Sequence, residues 1–283
     1  MKINIKRQDV YIALLFAAVI SGCIIRIVQF TSTIEESTGF YKTDSPSIII
    51  INVFSVLVYL MFLSCFLFFK NTKNTDGTKI LNMSSKRPII NLALVSLFVS
   101  KVIFIIMNNG KNIDSNLMAE LALSLFFAFY LFMTMSYGKT IRQGKGYELM
   151  AIAPIIYSIY MLANTFIKYT SIANISERMF EIIMLCFLVL FFTSYSKFAT
   201  GRSSEKPVFV WGLCAAFSTA MYVVPSLVLF KSLDENAFNF IINHLIELFI
   251  CLYVLVITIK IRKGLVGRKF TFFKTKPEET PAE

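Results

Sequence analysis

The chain has 283 residues, of which 56% are hydrophobic, and its formal net charge is +11. Soluble domains usually carry about 45–50% apolar residues, so the composition favours an integral membrane protein. The basic excess alone would suit a nucleic-acid-binding surface, but no platform of interleaved basic and aromatic residues accompanies it. We therefore expect no nucleic-acid partner.

Eight long apolar stretches divide the sequence, and each is about long enough to cross the hydrocarbon core of a bilayer as a helix. They leave only short loops and no room for a soluble catalytic domain. We predict an all-α membrane bundle, with one domain over residues 1–259 and a cytoplasmic tail, first basic and then acidic, over 260–283. The predicted spans are 10–30, 48–69, 88–108, 117–137, 149–167, 179–196, 208–230 and 238–259.

The positive charges alternate between the gaps. Of the 28 Lys and Arg residues, 21 lie in the amino terminus, in the gaps 70–87, 138–148 and 197–207, or in the tail. Basic loops stay on the cytoplasmic side, so both termini are predicted to be cytoplasmic and the span count to be even. Abundant Lys, Ile, Asn and Phe are typical of AT-rich bacterial genomes. We expect a bacterial plasma membrane, with the basic loops near its anionic lipids.

The five cysteines all lie inside apolar stretches, so we expect them to be small packing residues rather than disulfide partners. The segment Ile20–Cys23 resembles the lipobox that directs cleavage and lipid attachment at a cysteine. However, the apolar run continues beyond Cys23 to full spanning length. We therefore expect the first stretch to be retained as a span.

Besides tyrosines and cysteines, six ionisable side chains fall within the predicted spans, where each charge costs roughly 2.5–3.5 kcal/mol unless it finds a partner or water. The alternating topology puts all six in the outer half of the membrane. Together they predict an outward-facing polar cavity of mixed charge, suited to a zwitterionic or other small polar solute. The six candidates are Arg26, Lys101, Glu120, Glu181, His244 and Glu247. Additional hydrogen-bonding candidates are Asn52, Tyr157, Asn164, Tyr222 and Asn243.

A simpler interpretation of several of these residues remains open. Glu120 and Glu181 are close to the starts of their spans, where a carboxylate favours the positive end of a helix and contacts headgroups. Arg26 and Lys101 have long stems that allow their charges to reach the outer interface. Lys101 and Glu247 lie deeper within their spans than Glu120 and Glu181 do, so we consider them the better cavity candidates.

His244 and Glu247 are three residues apart and therefore share one face of a helix. In reversed order, this spacing is half of the Glu-x-x-His motif of di-metal sites in helical bundles, to which Glu120 and Glu181 would add carboxylates. His244 is the single histidine of the chain, which excludes a two-histidine site within it. We expect a hydrogen-bonded His–Glu pair, with no metal and no cofactor.

A weak repeat relates the glutamates, which are 61 and 66 residues apart. Each is followed six residues later by an aromatic residue and then by a cytoplasmic cation. This pattern predicts four tandem helical hairpins, although chance similarity between Phe-rich helices also explains it. The matched pairs are Glu120 with Phe126, Glu181 with Phe187, and Glu247 with Tyr253.

The sequence lacks the motifs of serine hydrolases, zinc proteases, P-loop enzymes and dinucleotide-binding enzymes. A membrane hydrolase would need a serine opposite His244, for which Ser218 and Ser226 are the candidates. We expect a non-enzymatic protein that binds or transports a small polar solute. The alternative is a sensory or scaffolding protein that relays to a separate cytoplasmic or membrane partner through its basic loops and the 260–283 tail.

Overall fold

A computed structural model of the protein describes most of the chain, and within the described ranges it is helical without strands. The all-α prediction is confirmed. Most of the tail, from residue 266 onward, lies outside the described residues. The described ranges are 7–33, 46–70, 86–109, 114–136, 149–169, 176–229 and 237–265.

Eight long helices occupy the eight predicted stretches, with bounds within a few residues of the predictions. Short helical turns at Cys65–Phe68 and Arg262–Gly264 extend the second and the eighth. The long helices are α1 (Arg7–Thr33), α2 (Pro46–Leu63), α3 (Lys86–Asn109), α4 (Ser115–Ser136), α5 (Ala153–Tyr169), α6 (Ser176–Ala199), α7 (Glu205–Val228) and α8 (Ala237–Ile261).

Seven of these helices are long and apolar enough to cross a membrane, and α5 is a shorter apolar helix. α5 begins at Ala153 because residues 151–152 form a turn, and Pro154 then falls in its first helical turn. Proline is tolerated there, since the N–H groups of the first turn have no intrahelical partner. The prediction of a polytopic helix bundle is confirmed.

Side-chain contacts between helix ends show how the helices alternate in direction. The Tyr11 hydroxyl near the start of α1 lies 2.8 Å from the Ser64 hydroxyl at the end of α2. Arg262, just after α8, approaches the Asp9 carboxylate at 2.9 Å. The start of α1 and the ends of α2 and α8 therefore share one face of the bundle, which we call the amino-terminal face.

Helices α3 to α8 form a closed ring. Each packs on the next along the chain, and α8 returns to pack on α3. α1 and α2 lie outside this ring, where α1 packs on both α2 and α7. Successive helices therefore pack in pairs, as in the predicted hairpins, while the duplication itself stays a prediction.

α7 is the most enclosed helix of the described bundle. In its most apolar 18-residue window 83% of residues are buried, against 28–44% for the other spanning helices. Small side chains allow neighbouring helices to approach its backbone closely. The Cys23 thiol of α1 donates to the Ala220 carbonyl at 3.6 Å, and the Cys251 thiol of α8 donates to the Ala216 carbonyl at 3.5 Å.

A short connection fixes α7 against α6. Residues 200–204 join the helices, and Gly201 adopts a left-handed conformation with φ 75°. The Arg202 amide donates to the Lys197 carbonyl and the Gly201 amide to the Phe198 carbonyl. This is the Schellman arrangement, in which glycine at the left-handed position ends a helix. The predicted loop 197–207 is thus shorter in the structure, and Glu205 and Lys206 are buried in the first turn of α7.

At Gly212, α8 packs closely against the backbone of α7. A methyl group there would collide with the Thr258 side chain, whose Oγ1 donates to the Val254 carbonyl at 2.8 Å. Overpacking of a well-packed contact costs about 1–3 kcal/mol. We expect Gly212→Ala to lower the melting temperature of the detergent-solubilised protein, measured by thermal unfolding.

Gly22→Ala on α1 is the matched control. The nearest atom to a methyl group there belongs to the flexible end of Met221, which can move aside. Its loss of melting temperature should be clearly smaller than that of Gly212→Ala. Equal losses in the two variants would contradict a rigid α7–α8 contact at Gly212.

Candidate functional site

A partly enclosed cavity of about 290 Å³ lies within the helix ring. This volume is near the lower end of the about 300–1,000 Å³ usual for small-molecule sites. Five ring helices contribute polar side chains to its lining: Lys101 from α3, Tyr157 from α5, Glu181 from α6, Tyr222 from α7 and Glu247 from α8. His244 and Asn243 of α8 also line it.

The cavity lies toward the face opposite the amino-terminal face. Lys101 is in the second half of α3, which begins at the amino-terminal face, whereas Glu181 and Glu247 are in the first halves of helices that run back toward it. The structure therefore brings together four of the six charged candidates, Lys101, Glu181, His244 and Glu247, at one depth.

Lys101 and Glu120 form an ion pair between α3 and α4. The Lys101 ammonium donates to Glu120 Oε1 at 2.6 Å, and the two side chains are 3% and 14% exposed. The Lys101 side chain thus points into the bundle and does not extend toward the outer interface. Glu120 belongs to the site through this contact, which balances the lysine charge.

Glu181 lies at the contact between α5 and α6. It is buried, and its Oε1 accepts a hydrogen bond from the Thr165 hydroxyl at 2.9 Å. The carboxylate therefore points toward the interior of the bundle, where it lines the cavity.

His244 is held between aromatic rings. Its imidazole stacks on Phe240 at 4.1 Å between centroids and lies 5.3 Å from the ring of Tyr222. The distance from His244 Nδ1 to Glu247 Oε2 is 3.9 Å, which is too long for the hydrogen bond that we expected. Within the described part of the chain, no three His, Cys, Asp or Glu side chains are grouped so that they could hold a metal ion.

Arg26 occupies a different place from the other charged candidates. Its guanidinium lies over the rings of Phe30 at 4.4 Å and of Phe180 at 4.3 Å, and Nη1 donates to Gln29 Oε1 at 2.5 Å. Arg26 therefore contacts α6 at Phe180, the residue before Glu181. It is not among the described residues that line the cavity.

Of the five uncharged candidates, three line the cavity and two do not belong to its described lining. Tyr157, Tyr222 and Asn243 line the cavity. Asn52 is on α2, outside the ring, and Asn164 is a half-buried residue of α5 that does not belong to the described lining. Whether a side chain of a given helix reaches the cavity depends on how that helix is rotated, which the sequence spacing does not determine.

An aromatic floor, formed by Phe98, Phe127, Phe192 and Tyr253, fills the ring interior on the amino-terminal side of the cavity. All four are almost fully buried. Tyr157, which lines the cavity, lies 5.5 Å from Phe98 and 5.4 Å from Phe127 between ring centroids. Phe127 contacts Phe192 at 5.6 Å, and Phe192 lies 6.4 Å from Tyr253. The floor joins α3, α4, α6 and α8 beneath Tyr157.

The sequence analysis did not predict this floor. A spacing signal was present. Phe98 is three residues before Lys101, and Phe127 is seven residues after Glu120. Residues three or seven apart lie on the same face of a helix, so these rings share the faces of the charged residues.

The two candidate serines for a membrane hydrolase face other partners. The Ser218 hydroxyl is 2.8 Å from the Tyr59 hydroxyl of α2 and also donates to the Cys214 carbonyl at 2.8 Å. The Ser226 hydroxyl donates to the Tyr222 carbonyl at 2.7 Å. Serines that bond backbone carbonyls of their own helix are common in membrane spans.

The fold defines the class of protein: a multi-pass helical membrane protein with charged side chains grouped inside its bundle. Comparisons with protein-family models, curated proteins and solved structures find no match to this chain. The function must therefore be argued from the site itself.

We expect Lys101→Met to destabilise the protein strongly, because it leaves the largely buried Glu120 carboxylate without its cation. Breaking a buried ion pair costs about 3–5 kcal/mol. The double variant Lys101→Met/Glu120→Gln should recover most of this loss, since no carboxylate is then stranded. The coupling free energy between Lys101 and Glu120 is measured by thermal unfolding in detergent. The wild type is compared with Lys101→Met, Glu120→Gln and the double variant.

The ion pair at the amino-terminal face is the matched control. Asp9 and Arg262 approach within 2.9 Å, but their side chains are 43% and 29% exposed. Exposed pairs contribute only about 0–1 kcal/mol, so Arg262→Met should lower the melting temperature little. An effect of Lys101→Met as small as that of Arg262→Met would show that the Lys101–Glu120 pair is not buried.

Proposed function

We propose that this protein is a non-enzymatic plasma-membrane protein that binds a small polar solute in the cavity within α3–α8 and transports it. The observation that carries the proposal is the convergence of Lys101, Glu181, His244 and Glu247 on one cavity from three different helices. Charged residues inside a bilayer are expensive and normally mark a substrate or ion pathway.

The charge distribution supports an outward-facing cavity. The amino terminus, the alternate basic gaps and the tail carry most of the Lys and Arg residues, which favours a cytoplasmic amino-terminal face. The cavity then faces the outside. The aromatic floor lies between the cavity and the cytoplasm, as expected for the outward-facing state of a carrier that opens to one side at a time.

The alternative is a sensor or scaffold that relays to a partner through the basic loops and the 260–283 tail. The tail from residue 266 lies outside the described residues. The cavity gives the solute proposal a physical basis within the described residues. The side-chain contacts of Ser218 and Ser226 likewise favour a non-enzymatic protein.

Cysteine accessibility tests the proposal in intact cells. Single cysteines are placed at Asn243 or Glu247 in a background without the native cysteines, and a small, charged, membrane-impermeant thiol reagent is added. We expect labelling at both positions, because both side chains line a cavity that opens to water. Asn243→Cys leaves every charged residue in place. It provides the test on its own if Glu247→Cys is not expressed in the membrane.

Native Cys186 alone is the matched control. It is the eleventh residue of α6, as Glu247 is of α8, but its side chain is exposed on the outside of the bundle. We expect no labelling there, because hydrocarbon excludes a charged reagent. A panel of sugars, amino acids and amines is then screened for slower labelling of Asn243→Cys. Protection of both Asn243→Cys and Glu247→Cys from the reagent would contradict the proposal.

A further inference from the structure

We infer that the Asn91 amide is a second solute-binding group, on the amino-terminal side of the aromatic floor, which the solute meets after it leaves the cavity. This inference rests on the proposed function and adds a contact to the transport pathway. The amide oxygen of Asn91 accepts a hydrogen bond from an N–H or O–H group of the solute. The inference makes no use of the charge of the solute.

Asn91 lies on the face of α3 that points into the bundle. Phe98 follows it seven residues later, and Lys101 follows Phe98 after three more. Residues at these spacings share one face of a helix, and all three side chains are almost fully buried. At a rise of about 1.5 Å per residue, Asn91 is about 10 Å from Phe98 along the helix axis. It lies on the side of the floor that faces away from the cavity.

The neighbouring helix α4 has the same order of side chains. Glu120, Phe127 and Thr134 follow one another at intervals of seven residues and therefore lie on one face. Thr134 is buried, and its hydroxyl accepts a hydrogen bond from Asn91 Nδ2 at 2.9 Å. Both helices thus place a charged residue on the cavity side of their floor ring and a polar residue about two turns beyond that ring.

The hydrogen bonds around Asn91 fix the orientation of its amide. Nδ2 donates to the Thr134 hydroxyl and to the Leu131 carbonyl, the latter at 3.4 Å. That carbonyl can only accept, and it also accepts the hydrogen of the Thr134 hydroxyl at 2.7 Å. The NH2 end of the amide must therefore face α4. Oδ1 is directed away from these contacts, and it accepts no hydrogen bond from the residues that the structure describes.

This buried acceptor is not needed for the stability of the fold. Leaving it unpaired costs the desolvation free energy of the oxygen, which exceeds the small gain from hydrogen bonds between membrane helices. A leucine has a similar volume and would avoid the cost. Residues that break a packing rule in this way are expected at functional sites. Asn91 Oδ1 is therefore suited to accept a donor that arrives with the solute.

The aromatic floor separates Asn91 from the cavity. Phe127 is its central ring, at 5.2 Å from Phe98, 5.4 Å from Tyr157 and 5.6 Å from Phe192 between centroids. Opening of the bundle toward the amino-terminal face has to separate these rings. Asn91 is a buried polar side chain of α3 on the far side of them, so a solute that passes the floor reaches it next.

Thermal unfolding of Asn91→Leu in detergent tests whether the amide is kept for stability. We expect a melting temperature no lower than that of the wild type. The variant removes the unpaired acceptor, and the Thr134 hydroxyl keeps its hydrogen bond to the Leu131 carbonyl. A clearly lower melting temperature would overturn the inference, because the amide would then be a structural contact between α3 and α4.

Cysteine accessibility from the cytoplasmic side tests the pathway. A single cysteine replaces Asn91 in the background without the native cysteines, and the charged thiol reagent is added to inside-out membrane vesicles. We expect labelling, because a carrier also populates its inward-facing state. Phe127→Ala removes the central ring of the floor and should speed this labelling. Phe129→Ala is the matched control, since that ring is 45% exposed on the surface of the bundle, and it should leave the rate unchanged.

Leu92→Cys is the matched control for position. Leu92 is the next residue of α3, but its side chain is 57% exposed on the surface of the bundle. Its labelling rate should not respond to Phe127→Ala. An equal rise at Asn91→Cys and Leu92→Cys would overturn the inference, because it would reflect a general loosening of the bundle. Phe98→Leu, a smaller change in the same ring contact, replaces Phe127→Ala if that variant is not expressed in the membrane.

The outcomes separate this inference from the proposed function. If Asn243→Cys is labelled in intact cells but Asn91→Cys stays protected in inside-out vesicles, with or without Phe127→Ala, the water-filled cavity stands and the inner site is wrong. If neither Asn243→Cys nor Glu247→Cys is labelled, both proposals fail.

Discussion

The close approach of neighbouring helices to α7 determines the arrangement of the described bundle. In a bilayer, helices gain little from burying apolar surface, so association depends on tight packing and hydrogen bonds. α7 offers a backbone that others can reach: Cys23 and Cys251 both touch its carbonyls, and Gly212 leaves room for Thr258. The Gly201 turn holds α6 against it. α7 is consequently both a wall of the ring and the base on which α1 packs.

This packing explains which features could be predicted from the sequence. The positions of the helices were predictable because the hydrocarbon thickness fixes the length of an apolar span and because basic loops mark one side. The depth of each charged residue follows from its distance to the helix ends. The rotation of each helix does not follow, because Phe-rich helices are apolar on almost every side. Arg26 and Lys101 are at comparable depth, yet Lys101 lines the cavity and Arg26 is not among the described residues of its lining.

The polar cavity and the aromatic floor lie at different depths within the ring, and their separation has an energetic cause. Charged groups need partners or water, so they collect where the ring contains a cavity. The aromatic floor has no such requirement: Phe98, Phe127 and Phe192 gain by close packing and by edge-to-face contacts. A wide charged cavity through the whole bundle would expose backbone and charges along its length. The floor instead closes the cavity on its amino-terminal side.

The Lys101–Glu120 pair compensates one charge of the cavity before any solute enters. From the sequence, Lys101, Glu181, His244 and Glu247 form a set of mixed charge suited to a zwitterionic or other small polar solute. The structure joins Lys101 to Glu120 on the neighbouring helix, so this lysine lines the cavity and also holds α3 against α4. The pairing is set by a contact between helices that no sequence spacing encodes, since Lys101 and Glu120 belong to different spans.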